Sequence, residues 1–172
     1  FGQYVQDLRS FLEKIGKSGE GNKPVLLGHS LGGLIAVRYS QLMGDAISGL
    51  VLSSPFLKMA FEVPRIKAVA GKMLSGLLPT ISLKTGLDPA ALSHDSQVVE
   101  SYRDDPLVSN VASARWFTEV LDAQREASRE VTKIDMPMLV MQAGDDLLTS
   151  AASTRTFFDE ASMPDKTFKI YE

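Results

Sequence analysis

One serine stands in a setting that favours nucleophilic chemistry. Ser30 is the centre of residues 28–32, whose sequence GHSLG follows the pattern Gly-x-Ser-x-Gly. A short apolar run at residues 25–27 precedes it, and residues 31–43 follow as good helix formers without proline. A strand that turns sharply into a helix at such a serine is a nucleophile elbow, which exposes the hydroxyl at the strand end. The alternative is a glycine-rich turn that binds a phosphate or only reverses the chain.

The neighbours of the serine have the properties that such a turn needs. Gly28 and Gly32 lack a Cβ, so we expect the strand and the helix to approach closely beside a strained serine. The N–H of Leu31 lies at the amino end of the helix, where unpaired N–H groups and the helix dipole stabilise a developing negative charge. We therefore predict that Leu31 is the first oxyanion-hole donor.

Two adjacent acidic residues follow a later predicted strand. Asp145 and Asp146 come just after the apolar residues 136–142. A carboxylate held at a strand end can orient a catalytic histidine and offset its positive charge, although turn formation is the alternative for such residues. The other acidic pair, Asp104 and Asp105, precedes a proline and is predicted to form a turn or a salt-bridged loop.

The composition excludes several classes of function. The 172 residues are 44% hydrophobic and 23% charged, which is typical of a globular domain, and the net charge of -3 argues against a nucleic-acid partner. No cysteine and only two histidines are present, so we expect neither a metal site nor any other cofactor. No apolar run reaches the ~20 residues of a membrane span, and no signal-peptide pattern is visible. We predict a cytoplasmic protein; the oligomeric state is not determined by the sequence.

The order of the elements predicts an α/β fold. Apolar residues recur at helical spacing over residues 1–15, and further helices are predicted at 31–43 and 150–161. Strands are predicted at three apolar runs, residues 25–27, 47–53 and 136–142, and at the alternating residues 166–171. Short links between alternating helices and strands indicate a doubly wound, mostly parallel sheet in which strand 25–27 is buried on both faces. Such sheets bind ligands at the carboxyl ends of their strands, where Ser30 lies.

The middle of the chain breaks this alternation. No strand-like run is visible between the second and third strands, and helical patterns dominate, with a last long helix at about residues 110–130. We predict a first core segment at 1–55, an inserted helical cap at 56–134 and a second core segment at 135–172. The apolar stripe at 66–78 with its flanking basic residues fits either contact with a membrane surface or, as we favour, packing on the core. Four large apolar residues are predicted as core residues first and as acyl-chain contacts second: Met59, Phe61, Met73 and Trp116.

Together these motifs resemble the monoacylglycerol lipase and lysophospholipase branch of the α/β-hydrolase superfamily, along the whole chain. The resemblance rests on GHSLGG at 28–33, SSP at 53–55, SYRDDPL at 101–107, QAGDD at 142–146 and KTFKIYE at 166–172. It implies an incomplete α/β-hydrolase fold, Ser30 as nucleophile, Asp146 as the acid and a small lipid or ester substrate, with possible contact between the cap and a membrane. In this family the histidine follows the final strand and a second oxyanion donor lies upstream of the first helix, and neither is found in this chain.

The two histidines present are poor candidates for the general base. His29 occupies the variable position of the elbow and points away from Ser30, so we expect a packed or hydrogen-bonded residue, with substrate contact as a secondary role. His94 is predicted at a turn or helix start within the cap. The main hypothesis is thus a serine esterase that acts through an acyl-enzyme on Ser30. The alternatives are a peptidase, a C–C bond hydrolase or a haloperoxidase on the same scaffold, or a catalytically silent binding module whose open sheet edge promotes self-association.

Overall fold

Four parallel strands form the main sheet of the structure, a computed structural model that describes residues 1–16, 22–61 and 75–172. The strands of these described residues are β1 (Val25–His29), β2 (Gly49–Ser53), β3 (Ser82–Lys84), β4 (Val111–Ser113), β5 (Met138–Ala143) and β6 (Lys166–Tyr171). The main sheet has the order β1-β2-β5-β6, and every pair in it is parallel. The predicted parallel α/β sheet is confirmed, and its neighbouring carboxyl ends bring the elbow and the acidic loop to one edge.

Of the α-helices that accompany these strands, five lie wholly within the described ranges. They are α1 (Gly2–Gly16), α2 (Leu31–Met43), α3 (Ser96–Asp104), α4 (Ala114–Arg129) and α5 (Ala151–Glu160). The helix predicted at residues 31–43 is confirmed without a change of bounds. None of the helices that the structure describes combines the length and the apolar character needed to cross a membrane.

The two faces of the main sheet differ in exposure. Residues in register across three strands bury one face, including Leu50, Leu52 and Val140. On the opposite face of β1, by contrast, Val25 and Leu27 are 59% and 62% exposed. The prediction that this strand is buried on both faces is therefore wrong for the described residues, because its apolar run has packing partners on one side only.

Helices α1 and α2 pack over the buried face at the β1 end of the sheet. Their contact is a cluster of apolar side chains: Val5, Leu12, Tyr39 and Ile47, with Leu26 of β1 against it. Behind this cluster the buried Arg38 of α2 pairs with Glu126 and Glu130 at 2.7 Å each. These ion pairs and the apolar contacts fix α2, and α2 in turn fixes the serine that precedes it.

At the other end of the sheet, α5 packs against β6. The rings of Phe158 and Phe168 meet edge to face, with their centroids 5.3 Å apart. The Lys166 ammonium donates to the carbonyls of Phe158 and Ala161 at 2.7 and 2.6 Å, at the carboxyl end of the helix. A cation in this place satisfies carbonyls that lack helical partners and complements the helix dipole.

The chain divides into two compact units. The first comprises residues 1–60 and 123–172 and contains the main sheet, and the second comprises residues 61–122. Within the second unit β3 and β4 form a short antiparallel pair, so the expectation of a strand-free middle segment is wrong. Strands of three residues carry too little periodicity to be recognised, and β4 takes the place of the first residues of the helix predicted from 110. Most of the predicted stripe at 66–78 lies outside the described residues, and the interpretation of 56–134 as a cap stays a prediction.

Candidate active site

Ser30 lies in the sharp turn between β1 and α2. Its backbone has φ +49° and ψ -119°, a left-handed conformation that costs a residue other than glycine about 1–3 kcal/mol. Hydrogen bonds hold it there: its N–H donates to the Ser53 carbonyl at 3.0 Å, and its carbonyl accepts from the N–H groups of Gly33 and Phe56 at 2.9 Å. The strain and these hydrogen bonds together present the hydroxyl at the end of the strand, as the elbow motif predicts.

The close approach of the strand to the helix depends on glycines, but not on both of those expected. A Cβ on Gly28 would lie 2.5 Å from the Gly32 carbonyl oxygen, so only glycine fits there. A Cβ on Gly32 itself would meet no described atom within 4 Å, which corrects the prediction for that position. The second constraint falls on Gly33 instead, where a Cβ would lie 2.8 Å from the Pro55 side chain.

Leu31 is the first residue of α2, and its backbone N–H therefore has no acceptor one helical turn earlier. It directly follows Ser30 and lies at the positive end of the helix dipole. An N–H in this place is suited to stabilise the oxyanion that forms when a serine oxygen attacks a carbonyl carbon. Its role as an oxyanion donor stays a prediction.

His29 is hydrogen-bonded away from the nucleophile position. Its Nδ1 lies 3.1 Å from the Ser53 hydroxyl, and its ring is exposed. The expectation of a hydrogen-bonded residue is confirmed, whereas its predicted contact with a substrate stays a prediction. This hydrogen bond of the ring is therefore to Ser53, at the end of β2, and not to Ser30.

The Asp146 carboxylate receives hydrogen bonds on both oxygens. Its Oδ1 accepts from the N–H groups of Leu148 and Thr149 at 2.9 and 2.8 Å. Its Oδ2 accepts from the Thr149 hydroxyl at 2.6 Å and from the Gln142 amide nitrogen at 3.2 Å. Burial raises the pKa of Asp146, but the hydrogen bonds from Thr149, Leu148 and Ser54 outweigh it and place the pKa below the ordinary 3.8. Asp146 is thus a fixed, ionised carboxylate at neutral pH.

Residues 53 and 54 connect the serine to this carboxylate. The Ser53 carbonyl accepts from the Ser30 N–H. The hydroxyl of the next residue, Ser54, accepts from the Ala143 N–H at 3.3 Å and from the Gln142 amide nitrogen at 3.5 Å, and the same nitrogen donates to Asp146 at 3.2 Å. Ser54 has φ +38°; among the non-glycine described residues only Ser30 shares a positive φ. The end of β2 is therefore bonded to Ser30 directly and to Asp146 through Gln142.

Sequence reasoning missed three polar neighbours of the acid. They are Ser54, Gln142 and Thr149, and the last two are buried. One signal was available, because Gln142 is a lone polar residue at an inward position of an otherwise apolar strand. Ser54 and Thr149 carry no such signal, since serine and threonine are ordinary residues at strand and helix boundaries.

The predicted substrate-contact residues divide between the two units. Met59 is half-buried in the first unit and pairs through its backbone with Thr149, beside the acid. Trp116 is half-buried in the second unit, whereas Phe61 is 57% exposed there, which contradicts its prediction as a core residue. His94, in the same unit, is exposed just before α3. Met73 lies outside the described residues.

No group of three or more histidine, aspartate or glutamate side chains in the described ranges is arranged to hold a metal ion. What the site does bring together is a serine on a strained turn, a helix-end N–H and an ionised aspartate. These residue types are the ones that serine hydrolases use, and their catalytic roles in this chain stay predictions.

The comparison with protein families agrees with this geometry. A family model described as serine aminopeptidase, S33, a hydrolase family, matches residues 1–172. The chain belongs to this α/β-hydrolase family. The predicted resemblance is thereby confirmed at the level of the family and the fold.

The relatives of this family member refine the resemblance. The monoglyceride lipase of Homo sapiens is 31% identical over the whole chain, which covers 57% of it, and the phospholipase YtpA of Bacillus subtilis is 30% identical, with 66% covered. A crystal structure of the monoacylglycerol lipase of Paleococcus ferrophilus is 34% identical and superposes with a TM-score of 0.89 over 97% of this chain and 63% of that one. The chain thus spans about three fifths of the length of these proteins.

Proposed function

We propose that this chain carries the nucleophile, the acid and one oxyanion donor of a serine hydrolase that cleaves carboxylic esters. The observation that carries the proposal is the set of hydrogen bonds at the end of β2, where Ser53 accepts from the Ser30 backbone and Ser54 shares the Gln142 amide nitrogen with Asp146. Two predicted catalytic residues from distant parts of the sequence are thereby bonded, directly or through one side chain, to the same short segment of backbone.

The roles of the residues follow from this geometry. The Ser30 oxygen attacks the acyl carbon of the ester, and the proton of its hydroxyl passes to a histidine that the family resemblance places after β6. Asp146 orients that histidine and offsets its charge, while the Leu31 N–H stabilises the oxyanion. The histidine then protonates the departing alcohol, and water hydrolyses the acyl-enzyme on Ser30.

The proposed substrate is a monoacylglycerol or a lysophospholipid. Relatives named monoglyceride lipase and phospholipase support this class, as does the structural likeness to a monoacylglycerol lipase. The cap predicted at 56–134 is proposed to contribute acyl-chain contacts, among them Trp116. Contact of this cap with a membrane surface belongs to the same proposal.

The test is hydrolysis of 1-monooleoylglycerol, lysophosphatidylcholine and p-nitrophenyl butyrate by the full-length polypeptide that contains these 172 residues. Ser30→Ala tests the nucleophile, and Ser48→Ala, just before β2, is the matched control because it makes the same substitution at a hydroxyl that donates to the Lys23 carbonyl. We expect the first variant to be inactive and the second to match the wild type. Activity that survives Ser30→Ala would overturn the proposal.

A peptidase is the second candidate function, because the matching family model is described as a serine aminopeptidase. An amino-acid p-nitroanilide distinguishes the two, since its scissile bond is an amide with a poorer leaving group. Turnover of the anilide that exceeds turnover of the glyceride and depends on Ser30 would favour the peptidase. We expect the reverse order.

A further inference from the structure

We propose that Gln142 is a positioning residue for the acid, which it ties to the rigid sheet. This inference rests on the proposed function, because it assigns to Asp146 the orientation of a catalytic histidine. Gln142 is fully buried near the end of β5, four residues before Asp146. It would act on catalysis through Asp146, without contact to the substrate.

The amide nitrogen of Gln142 is surrounded by oxygen atoms. It lies 3.1 Å from the Ala143 carbonyl, 3.2 Å from Asp146 Oδ2 and 3.3 Å from the Thr149 hydroxyl. The first two of these groups only accept hydrogen bonds, so the nitrogen rather than the oxygen of the amide must face them. The orientation of the side chain therefore follows from its neighbours, and one N–H points at the carboxylate.

The amide oxygen of Gln142 shows that packing alone does not explain the residue. This Oε1 atom is buried and has no hydrogen-bond partner among the described residues. Unsatisfied buried polar atoms destabilise a fold, and an apolar side chain of similar size avoids that cost. The contacts of this amide are therefore on its nitrogen side, which points to a role for the nitrogen.

The position of Gln142 on β5 explains how its hydrogen bond would position the Asp146 carboxylate. The other donors near Asp146 in sequence, Leu148 and Thr149, belong to the same loop as the carboxylate, and this loop pairs with the non-sheet segment around Met59. Gln142 belongs to a strand that is paired on both sides, with β2 and with β6. A hydrogen bond from this strand fixes the carboxylate relative to the sheet, and thus relative to Ser30, whose backbone is bonded to β2.

The experiment compares Gln142→Met with Gln41→Met in the full-length polypeptide, with 1-monooleoylglycerol as substrate. Gln41 is also buried, but both ends of its amide are satisfied, by the Ala127 carbonyl and by Arg38 at 2.7 Å each. We expect Gln142→Met to lower kcat about 10- to 100-fold, with KM changed less than about threefold and Tm within about 2 °C of wild type. We expect Gln41→Met to keep kcat and to lose several degrees in Tm.

Two further variants, Gln142→Glu and Ser30→Ala, separate a failure of this inference from a failure of the proposed function. Gln142→Glu has the same shape but no N–H donor when ionised, so its kcat should fall at least as far as that of Gln142→Met. A fall in Tm with unchanged kcat in both Gln142 variants would overturn the proposal and leave a structural residue. If Ser30→Ala is as active as the wild type, the proposed function itself fails.

A second measurement tests the contact between Gln142 and Asp146 even if the proposed function fails. The Asp146 carboxyl carbon is titrated by NMR in the wild type and in Gln142→Met. Loss of a donor to the ionised carboxylate raises the pKa of Asp146, so the titration should move to higher pH in Gln142→Met and stay unchanged in Gln41→Met. An unchanged titration in Gln142→Met would contradict the proposed contact whatever the activity.

Discussion

At the level of single residues, the elbow contains two glycines that look equivalent in the sequence and differ in the structure. We expect Gly28→Ala to lower the free energy of unfolding by about 2–3 kcal/mol, because the added Cβ meets backbone that cannot move aside. The Cβ added by Gly32→Ala would meet no described atom within 4 Å. Because Gly32 is the second residue of the helix, we expect this substitution to raise the free energy of unfolding by about 0.5–1 kcal/mol. Urea unfolding of the two variants measures both values, and equal losses would contradict this account.

Asp146 provides a prediction of pH dependence. Because its pKa is lower in the folded protein than the ordinary 3.8, ionised Asp146 stabilises the fold above that pH, and the stabilisation is lost as the pH falls towards the folded-state pKa. We expect Asp146→Asn to be less stable than the wild type at pH 7, and the difference to shrink below about pH 4. Urea unfolding at a series of pH values measures it. A difference that is constant from pH 7 to pH 3 would argue against the lowered pKa.

At the level of elements, the contact of α5 with β6 depends on one lysine. We expect Lys166→Met to lower the free energy of unfolding by about 1–2 kcal/mol, because it removes the cation and the donor from the helix end. Lys169→Met, on the exposed side of the same strand, is the matched control and should change stability by less than about 0.5 kcal/mol. Thermal unfolding followed by circular dichroism compares the two, and similar losses would show that strand charge, not capping, is responsible.

The elements that the sequence predicts well are those determined by neighbouring residues. The helix after Ser30 and the four strands of the main sheet carry recognisable apolar patterns bounded by turn residues, and their predicted positions agree with the structure. The hydrogen bonds from Gln142 and Ala143 to Ser54 could not be predicted, because they join the ends of β2 and β5 and depend on the register of strands far apart in sequence. The exposure of Leu27 was missed for a related reason: an apolar run does not tell which of its faces has a partner.

At the level of the whole molecule, the exposed face of β1 and its place at the edge of the sheet that the structure describes predict self-association of the 172-residue chain. We expect Leu27→Lys to lower the weight-average sedimentation coefficient, because a charge on this face opposes its burial against a second copy. Leu107→Lys introduces the same charge at an exposed leucine of the second unit and serves as the control. A monomeric wild type at high micromolar concentration in sedimentation velocity would contradict the prediction.

The pairing of β2 with β5 has a consequence for how the chain folds. It brings together Leu50 and Met138, and all of residues 61–122 lie between them in the sequence. Pairing across so long a segment has a large entropic cost that must be met before the strands stabilise each other, so topologies of this kind fold slowly. If the second unit folds first, less free chain has to be closed into a loop. The inserted unit would then form before the strand ends that carry Ser54 and Asp146, and the proposed catalytic site would be among the last parts of the chain to form.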